Sequence, residues 1–301
     1  MEKNEKSIYS ALTADLLIAV TKFIAGSFTN SSSMIAEGIH SLVDTINQLL
    51  LLYGLKRSRK PADQKRPFGY GRELYFWAFV VSIMIFGLGG GVSIYQGILH
   101  IIHPEKLGDP SWNYLVLGLS FIFEGISFIV AVKEFNKVRG DLPWWKAIVK
   151  SKDPASFLVL FEDGAALLGL LIVAVLMFIN YTFHLPYLDG VASVLVGVLL
   201  IFVSSILARE SRSLLMGEGI SSDTRKKVTA LVEKDEAVVK VSTVLSTYQS
   251  PEEVMLMLLV VFKEELHTED ITIAIERIRS LIKMEFPLVE FVLIQPQARV
   301  T

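Results

Sequence analysis

The sequence predicts an α-helical polytopic membrane protein: a six-helix transmembrane bundle followed by a small α+β domain of ferredoxin-like topology. Three observations carry that expectation. Of the 301 residues 52% are hydrophobic, and they fall in long blocks that suit a bilayer better than a soluble core. Two of those blocks hold ionisable residues in their middle. The chain from residue 213 onward lacks such blocks and reads helix, strand, strand, helix, strand.

Six blocks are long enough to cross about 30 Å of hydrocarbon at about 1.5 Å per residue. They lie near residues 8–29, 33–55, 73–102, 111–135, 154–181 and 187–208. The third and fifth are long and are expected to tilt or to project beyond the bilayer. Residues 1–212 thus form the expected membrane domain and 213–301 the expected cytoplasmic domain. The first ten residues, MEKNEKSIYS, run into the first block without a small-residue cleavage site, so the first span itself is expected to direct insertion.

Lysine and arginine positions set the orientation. The second–third connection holds Lys56, Arg57, Arg59, Lys60, Lys65, Arg66 and Arg72, and the fourth–fifth holds Lys133, Lys137, Arg139, Lys146, Lys150 and Lys152. On the opposite side the third–fourth loop has only Lys106, and the other two loops have no basic residue. Both termini and both basic connections are therefore expected in the cytoplasm, in a plasma (inner) membrane. Trp77, Trp112, Trp144 and Trp145 fall near the expected interfaces, where indole rings settle.

In the tail, Gly217 and Gly219 mark a hinge. A helix is expected near 222–234, strands near 238–247 and 253–263, a second helix near 268–285 and a last strand near 289–295, with Asp223 and Thr268 as caps. That order fits a split βαβ unit. A domain this small gains from a partner, so dimerisation is expected.

The chemistry sits in the second and fifth blocks. In SMIAEGIHSLVDTINQLLLLY (Ser33–Tyr53), His40 and Asp44 are one helical turn apart and share a face. In the fifth block Glu162 and Asp163 are adjacent, about 100° apart around a helix. An ionisable side chain in mid-membrane costs roughly 2.5–3.5 kcal/mol on insertion scales and marks a functional site. Imidazole and carboxylates from two helices can supply a tetrahedral site for a divalent cation. One of Glu162 and Asp163 is expected as a ligand; the other is a supporting partner, a proton site or a packing acid. The competing reading of His40 and Asp44 is a hydrogen-bonded pair that only joins helices.

Other polar residues read more plainly. Glu124 in the fourth span suits a proton or cation path, or a pair with Lys22; Asp15 and Lys22 suit helix pairing. Asp189 suits a helix cap, and Gly87, Gly89, Gly90 and Gly91 suit close packing. His100, His103 and His184 stand near span ends as interfacial residues, and His267 sits in an acidic turn. The net charge of −2 gives no reason to expect nucleic acid. The absence of cysteine excludes disulfides, thiolate ligands and a Cys nucleophile. No HExxH pattern is present, so the chain does not read as an enzyme.

The order of elements resembles the cation diffusion facilitator family. SSSMIAEGIHSLVDTINQLLLLYG resembles its second-span signature, PADQKRPFGYGRELYFWAF its basic loop and third-span start, and DGVASVLVG the start of its sixth span. IHSLVDTINQ, LSFIFEGISFIVAVKEF and VLFEDGAALLGLLI are most similar to the zinc transporter nine branch. The resemblance implies metal binding by His40, Asp44 and Asp163, and a homodimer. It also implies a fourth ligand four residues before Asp163, where this chain has Val159; Glu162 is the nearest substitute. At the family's loop metal site this chain reads Asp63, Arg66 and Tyr70, so that site is expected to be lost.

The expected function is export of a divalent transition metal from the cytoplasm by proton antiport, with zinc first and manganese, cobalt, iron or nickel admissible, and no catalytic cofactor. Metal ligands must be deprotonated, so protons and metal compete for His40 and Asp44. The rival from another class is a membrane metal sensor or scaffold without flux.

Overall fold

A computed structural model describes residues 2–104, 111–139, 143, 144, 147, 152 and 154–298. The chain divides into two compact units, Met1–Lys56 with Phe76–Arg212 and Arg57–Tyr75 with Ser213–Thr301.

The first unit is helical. Its elements are α1 (Glu2–Thr29), α2 (Ser32–Ser58), α3 (Glu73–Met84), a π-helical turn (Ile85–Gly91), α4 (Val92–Ile102), α5 (Ser111–Arg139), α6 (Pro154–Phe183) and α7 (Tyr187–Leu215). Helix α3, the π-helical turn and α4 form one continuous rod. Among the described residues four helical segments are long and apolar enough to cross a membrane: Glu73–Ile102, Ser111–Lys137, Phe157–Phe183 and Tyr187–Leu215. Helices α1 and α2 are as long, but ionisable residues dilute their apolar stretches. Those residues are turned inward: Lys22, Glu37, His40 and Asp44 are all buried. The outward positions are apolar, among them Leu17, Phe28, Ile83, Ile122, Leu171 and Phe202. This inside-out distribution suits a lipid surround.

Packing follows the small residues. Helix α4 and the π-helical turn cross α7 through two reciprocal glycine contacts. A Cβ on Gly97 would lie 2.6 Å from the Gly190 carbonyl oxygen, and one on Gly90 would lie 2.9 Å from that of Gly197. Only hydrogen at these positions lets the two backbones meet. The glycines expected to serve packing thus divide: Gly90 makes the crossing, whereas Gly87 faces open space. Helix α5 packs on α1 and α6.

Asp189 corrects an expectation. It lies in the first turn of α7, yet it caps a different helix. Its carboxylate accepts from the backbone N–H groups of Ser32 (2.5 Å) and Ser33 (3.2 Å) and from the hydroxyl of Ser31 (2.7 Å). The free N–H groups at the start of α2 attract it, and the positive end of that helix favours its charge. His100, expected as a lone interfacial residue, stands 3.8 Å from Asp189. Trp144 stacks on Phe135 at 5.5 Å. Trp145, Lys106, Lys146 and Lys150 lie outside the described residues.

The second unit contains α8 (Ser222–Val232), β1 (Val238–Ser250), β2 (Glu253–Phe262), α9 (Thr268–Glu285) and β3 (Val289–Pro296). The sheet order is β1-β2-β3, with β1 antiparallel and β3 parallel to β2. Val254, Leu256, Leu258 and Val260 alternate inward along β2 and meet Val228 and Val232 of α8 and Ala274, Ile278 and Ile282 of α9. The caps fall earlier than expected. Ser221, not Asp223, accepts from the Thr224 N–H at 3.1 Å, and the N–H of His267, which precedes Thr268, donates to Asp270 at 3.0 Å. Helix α7 ends in a Schellman turn: Gly217 adopts φ 99°, its N–H reaches the Leu214 oxygen, and the Glu218 N–H reaches that of Ser213.

The basic α2–α3 connection folds into this same unit. Phe68 meets Phe291 of β3 edge-on at 5.9 Å, and Arg72 donates to the Thr247 hydroxyl of β1 at 2.9 Å. Within the connection Asp63 accepts from the Tyr70 hydroxyl (2.6 Å) and the Arg66 N–H (2.8 Å), which hold its carboxyl below the usual range. The Arg66 guanidinium lies over the Tyr70 ring at 4.5 Å.

Candidate metal-binding site

Helix α2 supplies one complete polar stripe. Ser33, Glu37, His40, Asp44 and Asn47 recur every three or four residues, which places them on one face, and all five are buried. His40 Nδ1 stands 3.5 Å from Asp44 Oδ1, too far for a good hydrogen bond. Neither ring nitrogen of His40 has a hydrogen-bond partner among the described residues, and Asp44 Oδ1 has none either. A fully buried imidazole with two free nitrogens is a ligand in waiting or an uncompensated loss. Its neighbours in an acidic cluster favour the ligand.

Helix α6 brings the fifth-block pair. Glu162 Oε1 accepts from Asn47 Nδ2 at 2.7 Å, and Glu162 and Asp44 line the same cavity. Asp163 accepts from Ser127 of α5 at 2.8 Å. The residues alone left Glu162 and Asp163 open and the resemblance implied Asp163; adjacent residues point about 100° apart, and here it is Glu162 that bonds α2, through Asn47. Val159 contributes only an aliphatic side chain at the position where the resemblance implied a ligand.

Asp44, Glu162 and Asp163 line a small cavity of about 30 Å³, and His40 is not among its lining residues. Asp15, Asp44, Glu124, Glu162 and Asp163 surround it, with Ser41, Gln48 and Ser127 between them. Gln48 donates to Asp15 at 2.9 Å. Among the described residues no three His, Asp or Glu side chains already stand as a metal cage. Three of the carboxylates accept from amide or hydroxyl groups: Glu162 from Asn47, Asp163 from Ser127 and Asp15 from Gln48.

Sequence reasoning missed Glu37, Asn47, Gln48 and Ser127. Glu37 and Asn47 were visible on the heptad that holds His40 and Asp44. Ser127 is one turn after Glu124. Gln48 carried no signal beyond being amide-bearing in an apolar block.

Residues 8–216 match the family described as the cation efflux transmembrane domain. The chain belongs to the cation efflux family. It is 35% identical over 229 residues to a proton-coupled zinc antiporter, mitochondrial SLC30A9, of Xenopus laevis, covering 75% of this chain and 41% of that one. Metal tolerance protein C4 of Arabidopsis thaliana is 31% identical over 240 residues, 79% of this chain and 52% of that one. The manganese efflux system protein MneP of Bacillus subtilis is 27% identical over 228 residues, 74% and 72% of the two chains. Within the cation efflux family the chain thus sits with the zinc transporter nine branch. It spans about two-fifths of the length of the SLC30A9 relative.

Proposed function

We propose that this protein carries a divalent transition metal, zinc first, out of the cytoplasm in exchange for protons. The observation that carries the reading is Asp44 and Glu162 lining one cavity from two helices, with a buried, unpartnered His40 one turn from Asp44. Ligands must be deprotonated to bind metal, so a dication arriving among these carboxylates displaces protons, and protons return when it leaves. His40 and Asp44 would bind from α2 and Glu162 from α6, with Asp163 joining by turning away from Ser127. Imidazole with carboxylates suits zinc and also admits manganese, iron, cobalt and nickel. The names of the relatives, zinc antiporter and manganese efflux protein, support that range.

The same reading makes the protein a carrier and not an enzyme: the cargo enters and leaves unchanged. Helices α1 and α2 complete a bundle of six spans, with both termini in the cytoplasm, where the basic connections lie, in the plasma (inner) membrane. The functional form is a homodimer. Proteoliposomes loaded at one pH and diluted into another, with a panel of divalent ions outside, test the function. Zinc flux that rises with the proton gradient is expected. Tight zinc binding without flux would replace the carrier with a sensor.

A further inference from the structure

Lys22 is wholly buried in the middle of α1, and so is the Glu37 carboxylate beside it, 3.1 Å from its Nζ. A buried ion pair of this kind is often no more than a helix clasp. The other contacts of Lys22 go elsewhere. Its Nζ donates to Ser41 at 2.8 Å and stands 3.9 Å from Glu124 Oε1. Ser41 and Glu124 both line the acidic cavity. An ammonium group has three protons to place, and here two of its three neighbours belong to the cavity wall.

Charge makes the arrangement consequential. Five carboxylates surround a space that admits one small ion. Attraction between unit charges at low dielectric is large, so such a cavity would hold a dication too firmly to release it. Lys22 is the fixed positive charge that the described contacts place at this wall.

We propose that Lys22 is a resident counter-ion of the cavity, a positioning residue whose positive charge weakens the hold on a divalent cation and thereby permits its release. It steadies Glu124 when the cavity is empty and opposes the cation when it is full. The inference rests on the transport reading above.

A double-mutant cycle on the full-length protein tests it. Zinc affinity is measured by titration calorimetry in nanodiscs, and zinc flux in proteoliposomes. Lys22→Gln should lower the Kd for zinc about tenfold or more and slow maximal flux; Glu124→Gln should raise Kd by about as much. The double variant removes one charge of each sign and should return Kd to within about threefold of wild type. Lys22→Arg keeps the charge and should keep wild-type Kd. An unchanged or raised Kd in Lys22→Gln overturns the proposal, since a mere clasp would loosen the site. So does a double variant as weak as Glu124→Gln alone. If Lys22→Gln fails to assemble, the cycle is run in a Glu37→Gln background, where removing Lys22 leaves no unpaired carboxylate at 3.1 Å, with the same outcomes deciding. A wild-type protein that neither binds nor moves zinc would refute the transport reading instead.

Discussion

Glu162 on α6 accepts a hydrogen bond from Asn47 on α2 at 2.7 Å, three residues beyond Asp44 on the same helical face. That single bond fixes which member of the adjacent acidic pair meets α2. Glu162→Gln removes an anionic ligand from beside Asp44 and should weaken zinc binding by about two orders of magnitude, as loss of a charged contact worth about 3 kcal/mol implies. Asp163→Asn should weaken it less, because Asp163 must first leave Ser127. Titrations of both variants measure this, and the reverse order would return the primary role to Asp163.

His40→Ala and Asp44→Ala should each abolish zinc flux while the protein still inserts and elutes as a single species. Both side chains are buried but lack the tight polar partners whose loss unfolds a bundle. Flux assays with size-exclusion controls check this. Wild-type flux in either variant would remove the site from α2.

Gly97→Leu should prevent the close crossing of α4 and α7. Its Cβ would fall 2.6 Å from backbone, which cannot give way as a flexible side chain could. A destabilisation of about 1–3 kcal/mol or more is expected, read as a lower melting temperature in detergent. Gly87→Leu, which meets open space, serves as the control.

In the tail Arg277 makes two bonds of 2.7 Å to Asp235, and this pulls the Asp235 carboxyl below its ordinary value. The stabilisation is therefore complete above the ordinary carboxylate value, near 3.8, and fades as pH falls through the lowered one. Arg277→Ala should melt below wild type at neutral pH, and the gap should close in acid. Thermal melts across that range check the sign; a gap that widens in acid would contradict it.

His267→Ala should leave the number of bound zinc ions unchanged, since His267 precedes a helix as its N-terminal boundary and its N–H is already engaged by Asp270. Metal analysis of purified protein measures it; one ion fewer per chain would show a tail site.

Much of this was legible in the sequence because periodicity is written there. The expected tail strand at 253–263 is β2 at Glu253–Phe262, and the helix at 268–285 is α9 at Thr268–Glu285. His40 and Asp44 stood out because ionisable residues in apolar blocks are rare. The rotation of α6 was not legible, since it depends on which neighbours crowd a helix and not on the helix itself. Asp189 shows the same limit: its type announced a cap, but the helix it caps begins 157 residues earlier in the chain, at Ser32. The π-helical turn at Ile85–Gly91 also had no clear signature beyond a run of glycines.

The contacts of Phe68 with Phe291 and of Arg72 with Thr247 bear on how the protein can be cut and rejoined. The tail does not detach at one point after α7. A truncation there leaves an aromatic side chain and an arginine without the strands they rest on, so a shortened protein can lose function through a damaged connection and not through a missing domain. Chimeras between relatives should exchange residues 57–75 together with residues 213–301, with three junctions in place of one.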